Sequence, residues 1–194
     1  MNLLTVSEIN QQKARRIIDE TGIVDIWKSV GADAQLVGSL RTGLLVDNLD
    51  IDFHIYSDSF VLADSFAAIA KLAENPRIKR VEYANLLNTE EECLEWHAWY
   101  NDEEDNLWQI DMIHILKESP YAGYFEKVAD RIAAVLTPET KAAILEIKSR
   151  RTPEVEIMGI EIYQAVIRDG VRTFEEFRQW QEEHPNPGIV DWMP

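Results

Sequence analysis

Residues 50–57 read Asp-Ile-Asp-Phe-His-Ile-Tyr-Ser, a strict two-residue alternation that a helix of period 3.6 cannot bury on one face. As a strand it sends Ile51, Phe53 and Ile55 to one side and Asp50, Asp52, His54 and Tyr56 to the other. A short apolar run, 34–40, precedes it and leads into a glycine turn, and ten residues separate Ser39 from Asp50. Two carboxylates spaced by two on a strand share a face and can share hard cations. A glycine followed by a small hydroxyl residue lets backbone N–H groups and an Oγ approach a phosphate closely. Gly38-Ser39 beside Asp50 and Asp52 therefore has the parts that metal-assisted phosphoryl chemistry requires.

The flanking segments predict an α+β fold. A helix runs from an N-cap at Ser7 to Glu20, Gly22 interrupts it, and Ile23, Ile26, Trp27 and Val30 mark a second helix closed by Gly31. A helix over 60–74 stops at Asn75-Pro76. Strands follow over 78–86, 93–100 and 107–116, the last two flanking an acidic turn at 101–106. The remainder reads as helical, with starts at Ser119-Pro120 and Thr137-Pro138, a helix over 159–168, and a capping box Thr173–Glu176 before a helix through Trp180. An irregular tail is expected from Pro185. The organisation is an α+β region, 1–117, and a helical C-terminal region, 118–194.

Composition narrows the partners. Of 194 residues, 46% are hydrophobic, which excludes wholesale disorder, and no apolar run reaches the ~20 residues of a membrane helix. The single cysteine, Cys93, and the absence of a signal-like start predict a cytoplasmic protein. Thirty-five acidic residues against nineteen Lys and Arg give a formal charge of −16, which disfavours nucleic acid and favours metal ions or cationic small molecules.

The segment 37–53 resembles the motif of the DNA polymerase β-like nucleotidyltransferase superfamily, in its small, minimal form. Gly38, Ser39, Asp50, Asp52 and Phe53 stand at the matching positions, and Gly43 matches a second, frequent glycine. The resemblance covers roughly residues 20–117 and implies a mixed sheet flanked by helices. It also implies a third carboxylate from a later strand, for which Asp111 is the best candidate. The activity implied is transfer of a nucleoside monophosphate from an NTP, ATP first, to an acceptor hydroxyl. Asp50, Asp52 and Asp111 would be the catalytic carboxylates and hold two Mg²⁺, with Mn²⁺ as a substitute. Gly38, Ser39 and Arg41 would bind the nucleotide. Small members carry arginines two and four residues after the first glycine; here those places hold Leu40 and Thr42, leaving Arg41 or a distant lysine to face the triphosphate. A small-molecule acceptor, for instance a hydroxylated amine, suits the charge. The alternatives are an antitoxin-type protein that binds or adenylylates a partner protein, and a degenerate domain that binds nucleotide without turnover.

Each of these residues also has a plainer reading. Asp111, among Ile110, Met112, Ile113 and Ile115, is either a buried ligand in need of a cation or an edge-strand charge that blocks aggregation. His54 and His114 read as second-layer or packing residues, because Mg²⁺ prefers oxygen. Trp96, Trp99, Tyr100 and Trp108 read as sheet packing.

Overall fold

A computed structural model of the chain describes residues 2–152, 157–185 and 192–194. The first helix, α1 (Leu3–Thr21), starts ahead of the expected Ser7 cap. Asn2 caps it by accepting from the Leu4 N–H at 3.1 Å, and Ser7 is buried inside it. The extra turn forms because Leu3, Leu4 and Val6 pack against the C-terminal helices, a contact no local signal carries. Gly22, in the left-handed region, separates α1 from α2 (Ile23–Ser29).

The first strand, β1 (Asp33–Leu36), is shorter than expected. Gly38 takes φ +63° and turns the chain into a one-turn helix, α3 (Gly38–Thr42), whose Leu40 is fully buried. Then come β2 (Asp50–Ser57), α4 (Leu62–Ala73), β3 (Ile78–Asn85), β4 (Leu94–Asn101) and β5 (Leu107–Leu116). The sheet order is β1-β2-β5-β4-β3, with β2 and β5 parallel and the other neighbours antiparallel. This is the mixed sheet with flanking helices that the sequence predicts.

One face of the sheet is the core. Ile51 pairs with Ile110 and Phe53 with Met112 across β2 and β5, while Trp96 and Ala98 continue those rows on β4. Ala14, Ile17, Trp27 and Ile69 of α1, α2 and α4 cover them. Each such fully buried large side chain contributes about 1.5–3 kcal/mol relative to exposure. On the opposite face β2 does not keep its alternation: beyond Asp52, His54 and Tyr56 are buried as well. The residues responsible belong to the next helix, α5 (Tyr124–Val135), whose Phe125 meets the His54 ring and whose Glu126 accepts from the Tyr56 hydroxyl at 2.6 Å.

The helix expected at Ser119-Pro120 is a turn instead. Ala122 and Tyr124 donate to the carbonyls of Ser119 and Tyr121, and the left-handed Gly123 delays the helix to Tyr124. After it, α6 (Pro138–Ser149) starts on the Thr137 cap, α7 (Gly159–Ile167) follows, and α8 (Phe174–Glu183) starts on the Thr173–Glu176 box. Ile132, Ile144, Ile147, Ile162 and Phe177 of these helices form a second core, joined by Leu44 and Val46 from the loop between α3 and β2. The expected irregular tail falls largely on 186–191, outside the described residues. None of the described helices is long and apolar enough to cross a membrane.

Candidate active site

The register of two parallel strands brings the carboxylates together. Asp52 on β2 lies directly beside Asp111 on β5, and Asp50 lies beside Gln109. Because β5 is an interior strand, Asp111 is not an edge charge. All three carboxylates feel one another. Burial, then the charges of Asp50 and Asp111, push the Asp52 carboxyl up to about 8, against the pull of Lys148 and the Ser39 N–H. Burial also raises Asp50; Lys148 opposes this and Asp111 adds to it.

Gly38 fits closely against this group. A Cβ there would overlap Asp52 Oδ2 and stand 2.6 Å from its Cγ. The left-handed backbone at Gly38 is thus both a turn and a close approach, and it lays the Ser39 N–H on the Asp52 carboxylate. Strand β1 is tied to the same place, since the Val37 N–H donates to the Asp52 carbonyl at 2.9 Å.

Behind Ser39 stands a lysine that no motif identified. Lys148, in the last turn of α6, is 1% exposed. Its Nζ donates to Ser39 Oγ at 2.8 Å and to the Leu44 carbonyl at 2.9 Å. Of the three ammonium protons, these use two among the described residues. The cleft between sheet and helices has a volume of about 320 Å³. Gly38, Ser39, Asp52 and Asp111 line its polar side; Phe125, Val128, Ile132 and Tyr163 are among those lining its apolar side.

The donor set fits a hard divalent cation. Asp50 Oδ1 is buried with no hydrogen-bond partner, and carboxylates crowded this closely call for positive charge. Among the described residues no three His, Cys, Asp or Glu side chains already stand at metal-ligating spacing: Asp52 and Asp111 line the cleft, and Asp50 is not among its lining residues.

Comparison with known proteins decides the family. The nucleotidyltransferase domain family matches residues 15–121, more than half of the chain and all of the motif just described. The chain belongs to that family. No curated protein matches it. Among solved structures, a point mutant of the Cid1 poly(U) polymerase bound to MgATP aligns at 15% identity with a TM-score of 0.60, covering 96% of this chain and 59% of that one. The GLD-2–GLD-3 poly(A) polymerase complex aligns at 10% identity and 0.50, covering 96% and 64%. A cytoplasmic RNA terminal U-transferase aligns at 14% and 0.50, covering 71% and 38%. At these identities the likeness is one of fold, and the chain spans less than two-thirds of the length of those proteins.

Within this nucleotidyltransferase-family domain the other expected residues are placed as follows. Arg41 does not line the cleft. Its guanidinium forks onto Asp130 of α5 at 2.7 and 2.8 Å and reaches the Leu36 carbonyl, a pairing that holds the Asp130 carboxyl below its usual range. His54 lines the cleft, its Nδ1 3.2 Å from the Tyr56 hydroxyl. His114 points to the core instead, edge-on to Trp27 and Phe60. Trp96, Tyr100 and Trp108 are buried, whereas Trp99 lies on the carboxylate face with the Arg80 guanidinium 4.3 Å above its ring. Two further residues escaped the sequence reading. His97 of β4 and Gln109 of β5 both contact Asp111, and only the β4–β5 register, invisible in a single chain segment, could have revealed the first.

Proposed function

We propose that this chain transfers a nucleoside monophosphate from an NTP, with ATP the first candidate, to a hydroxyl of a small-molecule acceptor. The observation that carries the reading is the shared lining of one cleft: the Gly38-Ser39 turn packs against Asp52, and Asp52 and Asp111 face the same space as neighbouring carboxylates that call for cations. Gly38 would hold the β- and γ-phosphates through its backbone N–H and Ser39 through its Oγ–H, with Lys148 behind it donating to that Oγ and lending positive charge. With the Arg41 side chain engaged by Asp130, Lys148 would be the nearer cation to the Gly38-Ser39 turn. Asp50, Asp52 and Asp111 would hold two Mg²⁺, which when bound neutralise the attacking and leaving oxygens of an in-line displacement. The acceptor oxygen bonds to the α-phosphorus, the bond from that phosphorus to the β-phosphate oxygen breaks, and pyrophosphate leaves. Asp111, which lines the cleft, would receive the acceptor's proton.

The formal charge of −16 favours a small, hydroxylated, cationic acceptor over a polyanion. Poly(U) and poly(A) polymerases among the structural neighbours make an RNA 3′-hydroxyl the competing acceptor. Incubation with α-labelled NTPs and Mg²⁺ against hydroxylated amines, oligoribonucleotides and co-expressed host proteins separates the readings. Label on the amines supports the proposal, label on RNA or protein replaces the acceptor, and no label anywhere removes the enzyme. The double variant Asp50→Asn, Asp52→Asn is expected to lose all transfer.

A further inference from the structure

The sheet register places His97 directly across from Asp111, and Gln109 two residues before Asp111 on the same face. His97 Nδ1 is 2.5 Å from Asp111 Oδ1, and Gln109 Nε2 donates to the same oxygen at 2.8 Å. Asp111 Oδ2 has no hydrogen bond among the described residues and is not sealed from solvent, and Asp111 lines the cleft. We propose that His97 and Gln109 are positioning residues for Asp111: by both binding Oδ1 they fix the carboxylate plane and leave Oδ2 to the cleft.

A lone aspartate turns readily about its last side-chain torsion, which is broad and roughly two-fold. Beside Asp52 such freedom would let its oxygens swing away from the neighbouring negative charge. Two donors on one oxygen remove that freedom and draw charge toward Oδ1, as groups behind a metal ligand generally do. Asp52 is oriented differently, by the Ser39 N–H, so the two carboxylates have separate supports. His97 has no core role to confuse the test: its side chain is 26% exposed, next to the Trp99 ring, with Glu95 3.8 Å from Nε2.

The inference rests on the proposed nucleotidyl transfer, and a metal-binding readout separates the two. Mn²⁺ would be titrated into the full chain by electron paramagnetic resonance for wild type, His97→Ala, His97→Asn and Gln109→Leu, alongside steady-state transfer kinetics. His97→Ala and Gln109→Leu are expected to weaken Mn²⁺ binding about 10- to 100-fold and to lower kcat similarly. KM for the NTP should stay within about twofold, because Gly38, Ser39 and Lys148 are untouched. Asparagine can return an N–H near the Nδ1 position, so His97→Asn should recover most of the loss. Wild-type Mn²⁺ affinity and kcat in folded His97→Ala and Gln109→Leu, or an asparagine no better than alanine, would overturn the positioning role alone. A wild type that binds no Mn²⁺ would overturn the parent reading and this inference together.

Discussion

Gly38 has neither the backbone angle nor the space for a side chain, and the two constraints act on different observables. A left-handed φ costs a non-glycine residue about 1–2 kcal/mol, which reads out as stability. The overlap with Asp52 displaces a carboxylate, which reads out as chemistry. Gly38→Ala is therefore expected to lower transfer at least about 100-fold while the chain still folds, as checked by kinetics and circular dichroism. His114 gives the pH test. Burial lowers its pKa from 6.5 to about 4, so the folded protein holds it neutral between Trp27, Phe60 and the Ser57 hydroxyl at 2.7 Å. The unfolded chain takes up the proton first as pH falls. The stability associated with the neutral ring is present above pH 6.5 and is lost as pH drops toward 4, by about 3 kcal/mol in all. Urea denaturation of wild type and His114→Gln at pH 7.5, 6 and 4.5 should show wild type losing stability toward acid faster than the glutamine variant.

Secondary elements carry the site in two ways, and only one of them was legible. The β2 strand announced itself, because its alternation and its Asp-x-Asp are local; so did the caps Thr137 and Thr173. The far end of helix α6 gave no such signal. Lys148, Arg150 and Arg151 sit where cations ordinarily end a helix in water, and nothing in that pattern distinguishes a buried ammonium from a solvated one. The fold separates them: Lys148 reaches Ser39, 109 residues away, while Arg151 forks onto Asp47 at 2.7 and 2.8 Å. Burial pushes the Asp47 carboxyl up, but the Arg151 fork and charge outweigh it and hold it below the usual range. Lys148→Met is expected to raise KM for the NTP about tenfold or more. It should also destabilise the fold by about 1–3 kcal/mol, since the Leu44 carbonyl and Ser39 hydroxyl lose their donor. Arg151→Ala should cost about 2 kcal/mol, between the surface and buried limits for an ion pair, with the loss measured by denaturant midpoint.

At the scale of the whole molecule, sheet and C-terminal helices make one cleft from two cores. Leu44 and Val46, in the loop leading to Asp50, are buried among the C-terminal helices, so a chain ending at residue 117 would expose them and lack Lys148. Such a truncation is expected to bind a hydrophobic dye and show no Mg²⁺- and NTP-dependent rise in melting temperature, where the full chain shows one. By itself the sequence determined the local facts: the two-residue period of β2, the left-handed turn at Gly38, the caps, and the Asp50–Asp52 pair with its Gly-Ser neighbour. It also offered Asp111, through the resemblance that asks for a third carboxylate from a later strand, with an edge-strand charge as the plainer reading. Only the tertiary structure decided that Asp111 stands beside Asp52, that His97 and Gln109 contact it, that Arg41 turns to Asp130, and that Lys148 reaches Ser39. Those choices depend on strand register and on helices returning from a hundred residues away, and period and composition describe a residue's own segment but not the partner that folding brings to it.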